Sequence, residues 1–245
     1  MIIYILLFII IIIFLYLFFF NNKNKRKFIS KNISIGIPCT ADHIQFLEEL
    51  IYNINKQDIL PKEIIISLSS SNNSNNLKKT LNKISLVNVK LIETDKKQYA
   101  GENRNICAQN CSTEYISFID ADDLMAPSRN KVIEDLIKKT KFDVLYHNFT
   151  DSKYKLSNNY NEIKDTNYNK KVYLKQKDEK HPNLEYITHG HLTIKTNVLL
   201  ENLMDTDGYG EDSRYLHKIF SKNLNVISLP DYKGTLYRIE NSTWK

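Results

Sequence analysis

The sequence predicts an α/β domain, an open and mainly parallel sheet flanked by helices, preceded by one transmembrane helix. Three observations predict it. Residues 1–20, MIIYILLFIIIIIFLYLFFF, hold no charged side chain. Between residues 33 and 149, short apolar runs alternate with stretches whose apolar residues recur at helical spacing; strands separated in this way form βαβ units, and right-handed crossovers assemble these into a parallel sheet. The acidic run Asp120-Ala121-Asp122-Asp123 directly follows one of the apolar runs, at the strand end where open α/β sheets bind ligands.

The 20-residue apolar run would span ~30 Å as a helix, the thickness of a bilayer's hydrocarbon core. It has neither the positive leader nor the small-residue cleavage site of a signal peptide, so it reads as an uncleaved anchor. No side-chain cation precedes it, whereas NNKNKRK follows. The positive-inside rule then places the body on the cytoplasmic side. The domain map is an anchor at 1–20, a basic juxtamembrane linker at 21–31 and one domain at 32–245.

Within the domain, ISIGI (33–37) is a strand ended by Pro38. Ile44, Leu47, Leu50, Ile51 and Ile54 form one helical face, with Asp42 placed to cap its start. EIIISL (63–68) is a buried strand, followed by a Ser/Asn stretch and a short helix through Leu77, Leu81 and Ile84. VKLIE (89–93), a helix from about Gly101 to Cys111, the strand EYISFID (114–120), a helix from Ser128 and the strand DVLYHNF (143–149) complete the alternation. Residues 151–185, rich in Lys, Asn, Asp and Tyr, read as an excursion holding at most one strand, KVYLK (171–175). Order returns with a strand at 186–195, helices near 196–204 and 211–222, and two strands, VISL (226–229) and GTLYRI (234–239).

Composition excludes several functions. The formal net charge is +6, but Lys23, Lys25, Arg26, Lys27 and Lys31 precede any acid, so residues 32–245 carry only about +1. A nearly balanced body is not a nucleic-acid footprint. Six glycines form no GxxxxGK[ST] loop and no GxGxxG turn, which argues against a Walker-type ATPase or a Rossmann dehydrogenase. Cys39, Cys107 and Cys111 include no CxxC and read as small core residues.

Three constellations carry chemistry. Three carboxylates within residues 120–123 repel one another unless a cation neutralises them, and carboxylates beside a diphosphate suit Mg²⁺ or Mn²⁺. In Gly208-Tyr209-Gly210-Glu211-Asp212-Ser213, two glycines precede acids that open an amphipathic helix; these acids either complement the helix dipole or act as a general base. In Ala100-Gly101-Glu102-Asn103-Arg104-Asn105, a helix start joins an arginine, which suits an anion, although a solvated first turn reads equally well.

Over about residues 32–243 the sequence resembles the family 2 glycosyltransferases of GT-A fold. ISIGIP resembles their opening strand, AGENRN their A-G-x-x-x-R-N helix start and FIDADD their acidic metal motif. GYGED resembles the segment carrying the catalytic base, and LYRIENST the terminal Y-R-x-H-x-x-S stretch. The resemblance implies a metal-dependent, inverting transfer of a sugar, hexosyl or N-acetylhexosaminyl, from a nucleoside-diphosphate sugar, foremost a UDP-sugar, to a hydroxyl of a glycan, protein or lipid. It implies that Asp120 contacts the nucleotide, that Asp122 and Asp123 form the Mn²⁺ or Mg²⁺ site, and that Asp212 is the base. Arg104, Asn105 and Asp95 would lie on the donor side, and Glu211, His189 and His191 on the acceptor side.

The chain departs from the family pattern at two places. Ser69-Ser70-Ser71 stands where an acidic pair usually follows the second strand, with Asp95 able to compensate. Glu240 stands where many members carry a metal-side His, a role His189 or His191 could fill. The absence of Q-x-x-R-W, together with a single membrane span, implies single-sugar transfer rather than polymer synthesis. The rival readings are a catalytically degenerate membrane-anchored nucleotide-sugar or glycan-binding protein and, behind it, a haloacid-dehalogenase-type phosphatase using Asp120 as nucleophile.

Overall fold

The structure, a computed structural model, describes residues 27–71, 74–151, 191–208 and 210–238. The expected anchor at 1–20, most of its basic flank, the strand KVYLK, His189 and Glu240 lie outside the described residues. Among the described residues no helix is long and apolar enough to cross a membrane.

Among the described residues ten strands form: β1 (Phe28–Ile29), β2 (Ile33–Thr40), β3 (Ile59–Leu60), β4 (Glu63–Ser69), β5 (Asn88–Glu93), β6 (Tyr115–Phe118), β7 (Leu124–Met125), β8 (Val144–Asp151), β9 (Thr193–Lys195) and β10 (Val226–Tyr237). Six α-helices pack around them: α1 (Leu47–Asn55), α2 (Asn75–Ile84), α3 (Ala100–Gln109), α4 (Arg129–Thr140), α5 (Thr196–Glu201) and α6 (Glu211–Phe220). The main sheet runs β5-β4-β2-β6-β9-β8-β10-β7, with β1 and β3 paired separately.

Period decides which face each side chain serves. In β4, Ile64, Ile66 and Leu68 join one core cluster with Leu50, Ile51 and Ile54 of α1 and with Val132, Ile133 and Leu136 of α4. Ile65 points to the other face, among Ile116, Phe118, Cys107, Tyr215 and Leu216. A strand with apolar residues at every position is therefore covered on both sides. Each fully buried Ile or Leu contributes about 1.5–3 kcal/mol by leaving water.

Three sequence expectations need correction. The sheet is mixed: β5, β4, β2 and β6 are parallel, but β9 is antiparallel to both β6 and β8, and β7 is antiparallel to β10. The two C-terminal strands are one, β10, whose register against β8 shifts between Leu229 and Lys233 and again between Lys233 and Thr235. Pro230, inside that break, has no N–H to give a ladder, so a bulge accommodates it without ending the strand. The first helical segment opens as a 3₁₀ turn at Ala41–Phe46, with Thr40 rather than Asp42 at its N-cap and no side-chain capping bond.

Asn53 of α1 also closes a sheet edge. Its amide donates to the Met125 carbonyl at 3.1 Å and accepts from the Met125 N–H at 2.8 Å, as a neighbouring strand would.

Candidate active site

The parallel strands deliver the acidic run to the end of the sheet. Below it, β6 is buried throughout, and the Ile119 N–H donates to the Gly36 carbonyl of β2 at 3.1 Å. The chain then turns, with the Asp123 N–H bonded to the Asp120 carbonyl at 3.1 Å. Asp120 stays partly exposed, while Asp122 and Asp123 are buried.

Arg104 links this turn to α6. Its Nη2 donates to Asp120 Oδ1 at 2.8 Å and its Nη1 to Glu211 Oε1 at 2.9 Å. Burial opposes charge on the guanidinium, but Asp120, Glu211 and Asp212 outweigh that and leave its pKa raised. In the same way burial opposes the Asp120 carboxylate, yet Arg104 and His191 hold it well below the usual range. Two glycines permit this assembly. A Cβ on Gly101 of α3 would lie 2.2 Å from the Asp205 carbonyl. Gly210 caps α6 at φ 78°, a left-handed backbone that favours glycine.

Asp212, the expected base, follows Glu211 in the first turn of α6 and is partly exposed. The Ser213 N–H donates to its Oδ1 at 2.7 Å, and among the described residues it forms no ion pair. The two neighbouring acids thus divide: Glu211 is a buried partner of Arg104, whereas Asp212 presents a carboxylate to the surface.

His191, expected on the acceptor side or in place of the family's metal-side His, faces the acidic turn. Its Nε2 lies 2.9 Å from Asp123 Oδ2 and 3.5 Å from Asp120 Oδ2. Ligand atoms of Asp120, Asp123 and His191 all fall within 4.8 Å of one another. Asp123 Oδ2 and both His191 ring nitrogens have no hydrogen-bond partner despite being buried, so the 2.9 Å approach is close without being aligned as an N–H···O bond. Two carboxylates and an imidazole with such unsatisfied donor atoms fit a divalent cation of the Mn²⁺ type. Burial works against charge on His191, but the two carboxylates prevail and raise its pKa to about 9. A proton on His191 and a divalent cation would therefore compete to neutralise the same oxygens. Asp122, expected as a principal ligand, is not in this group; burial, then Asp120 and Asp123, pushes its carboxyl up to about 7.

The remaining expected donor residues separate. Asn105 has its amide engaged at both ends by the Met204 backbone, each bond 2.9 Å long, and so holds the segment before α6. Asp95 is exposed on the loop after β5. Its neighbours Lys96 and Thr94 accept from the Ser70 and Ser71 N–H groups, each at 3.0 Å. That loop is thereby fastened to the serine run where an acid was missing.

Two arginines went unpredicted. The Arg238 N–H donates to Asp123 Oδ1 at 2.8 Å, its Nε bonds the Asp122 carbonyl, and its Nη1 reaches Glu49 Oε2 at 2.5 Å. Arg129, fully buried on α4, donates through Nη2 to Ser117 Oγ, the Phe118 carbonyl and the His191 carbonyl at 3.1, 2.7 and 3.0 Å. It ties the strand carrying the acidic turn to the segment carrying His191. The only signal in the sequence was Arg238 within LYRIENST.

Residues 34–201 match the family model of glycosyl transferase family 2. The fold is similar to that of S. aureus TarS 1–349 in complex with UDP-GlcNAc, with TM-score 0.62 and 18% identity over 84% of this chain and 58% of that one. TarS 1–349 in complex with UDP gives TM-score 0.60 and 17% identity over 85% and 60%. A mannosyltransferase, PcManGT from Pyrobaculum calidifontis in complex with GDP-Man and Mn²⁺, gives TM-score 0.55 and 16% identity over 90% and 63%. At these identities the likeness is one of fold, and this chain spans about three fifths of the length of each. No curated protein sequence matches it.

Proposed function

We propose a reaction from one premise: the chain belongs to glycosyl transferase family 2 and so transfers a sugar from a nucleotide sugar. Our reading of the finer chemistry is a metal-dependent, inverting, non-processive transfer of one hexosyl or N-acetylhexosaminyl unit to an acceptor hydroxyl. The observation that carries it is the grouping of Asp120, Asp123 and His191 beside Arg104 at the end of the parallel strands. The donor is a UDP-sugar on this reading, supported by neighbours whose structures hold UDP and UDP-GlcNAc; GDP-Man in the mannosyltransferase neighbour marks the competing nucleotide.

Asp120, Asp123 and His191 would hold Mn²⁺ or Mg²⁺, with Asp122 beside them. When bound, the cation supplies positive charge against the diphosphate leaving group. Arg104 keeps Asp120 ionised and fixes Glu211 so that the first turn of α6 faces the site. Asp212 accepts the proton of the acceptor hydroxyl as that oxygen bonds the anomeric carbon and the carbon–oxygen bond to the diphosphate breaks, which inverts the configuration. Asp95 contacts the nucleotide from its loop over Ser70 and Ser71. Residues 1–20 anchor the protein in a membrane with the body on the cytoplasmic side, a reading supported by the uncharged run and its cationic flank.

The absence of an acid at Ser69–Ser71 favours one second reading, a binding protein that retains the donor but does not turn it over. Acceptor-dependent turnover in Asp212→Asn decides between them. A true base gives a loss of about 10²-fold or more in kcat with donor affinity unchanged, whereas equal inactivity of the unsubstituted chain with full donor binding supports the degenerate reading.

A further inference from the structure

We infer that the end of the sheet opposite the acidic site rests on the bilayer surface, so that the reacting end of the domain faces away from the membrane. The inference rests on the anchored reading above and adds an orientation and a substrate class to it.

The described chain begins at Lys27, seven residues after the apolar run ends at Phe20. Seven residues reach at most about 25 Å when fully extended. Lys27 is fixed to the domain, its Nζ donating to the Asn55 and Gln57 carbonyls at 2.6 and 3.0 Å. Asn55 in turn accepts from the Leu86 N–H at 2.9 Å. The entry point of the chain and the turn before β5 therefore share one patch, and its apolar side chains are uncovered: Phe28 is 57% exposed, Ile29 44% and Leu86 59%. Exposed lysines stand at the starts of the sheet strands, Lys31 before β2, Lys62 before β4 and Lys141 before β8. Exposed acids at this end include Asp58 and Glu114.

An apolar patch among lysines, tethered closely to an uncharged 20-residue run, is the chemistry of an anionic lipid surface. The patch lies where β2 and β4 begin, and the acidic turn lies where the parallel strands end. The eight residues of β2 separate the two ends by about 26 Å. The acceptor hydroxyl must then be presented well above the headgroups. A long glycan or a protein meets that requirement; the headgroup of a lipid does not.

The full chain, with its single tryptophan changed by Trp244→Phe, is reconstituted in phosphatidylcholine vesicles with roughly 30% phosphatidylglycerol and lipids brominated on the acyl chain. New reporters are Leu86→Trp, Phe28→Trp and, at the catalytic end, Gln45→Trp. Flotation after alkaline extraction tests the anchor separately. The inference expects flotation, loss of about half or more of the Leu86→Trp and Phe28→Trp emission, and an unquenched Gln45→Trp. Flotation with unquenched Leu86→Trp and Phe28→Trp overturns the seating and keeps the anchor; no flotation overturns both. Quenching of Gln45→Trp reverses the orientation and overturns the inference. Emission from Leu86→Trp that is already blue-shifted in detergent and indifferent to brominated lipid marks a protein contact, a second copy or a folded-back segment, and also overturns it. None of these readouts depends on turnover, so they stand apart from the glycosyltransferase reading.

Discussion

Arg104 and Glu211 are joined by a buried 2.9 Å ion pair across 107 residues of sequence. The same guanidinium holds Asp120 at 2.8 Å, so one cation couples the acidic turn after β6 to the helix that carries Asp212. Removing the cation strands a buried carboxylate. Arg104→Met is expected to lower stability by about 3–5 kcal/mol. Combining it with Glu211→Gln should recover part of that loss, because the second change removes the uncompensated charge. Denaturant unfolding of the two single variants and the double variant measures this coupling.

The proposed cation site is built on His191 with Asp120 and Asp123 rather than on Asp122. His191→Gln or Asp123→Asn is expected to weaken Mn²⁺ binding by at least about 10-fold to 100-fold, read by the electron paramagnetic resonance of free Mn²⁺ during titration. Affinity unchanged in both variants would place the ion elsewhere.

Arg238, the residue after β10, braces the acidic turn through one side-chain and one main-chain bond. Arg238→Met leaves the main-chain bond to Asp123 in place but frees the Asp122 carbonyl, at an expected cost of about 1–3 kcal/mol. Glu49→Gln should cost less, since Glu49 is largely exposed and surface pairs contribute about 0–1 kcal/mol. Thermal unfolding ranks the two.

Glu63 gives the fold a defined acid sensitivity. Its carboxylate accepts from the Ser112 N–H and Oγ at 2.8 and 2.6 Å, and from Ser34 Oγ at 3.1 Å, and pairs with Lys90 at 2.8 Å. Burial alone would raise its pKa, but these partners outweigh burial and lower it. A lowered folded pKa contributes stability above the ordinary glutamate value of about 4.3, and that contribution is lost as pH falls through the lowered value. Glu63→Gln should therefore be less stable at neutral pH, and the gap should begin to close as pH falls below about 4.3 and vanish only below the lowered folded value. A stability gap that persists undiminished in acid would exclude the carboxylate as its source.

Much of the scaffold was legible because its causes are local. Period and β-branched content marked β2, β4 and β6, and the helical spacing of Leu47, Leu50, Ile51 and Ile54 marked α1, all four of which are buried. The acidic run was legible as a site because three neighbouring carboxylates at a strand end need compensation, which here comes in part from Arg104 and His191. What escaped depends on contacts between distant segments. Nothing near Arg129 shows that its guanidinium will bond three acceptors, two on β6 and one on the segment before β9. His191 read either as an acceptor-side group or as a substitute for the metal-side His, because alternation along a strand gives a face but not the neighbour opposite. Asn105 read as a donor-side residue by motif position, while its amide bonds a segment 99 residues away. The continuity of β10 through Pro230 escaped because a proline ends a strand in isolation and only the pairing with β8 carries the chain past it.

The central claim is tested most directly by nucleoside-diphosphate release from a panel of nucleotide sugars, using the full chain in detergent with Mn²⁺ and with Asp123→Asn alongside. The account predicts release from one class of donor, UDP-sugars, with loss of about 10²-fold or more in Asp123→Asn. Binding of no donor, or release that is indifferent to both Mn²⁺ and Asp123→Asn, would contradict it.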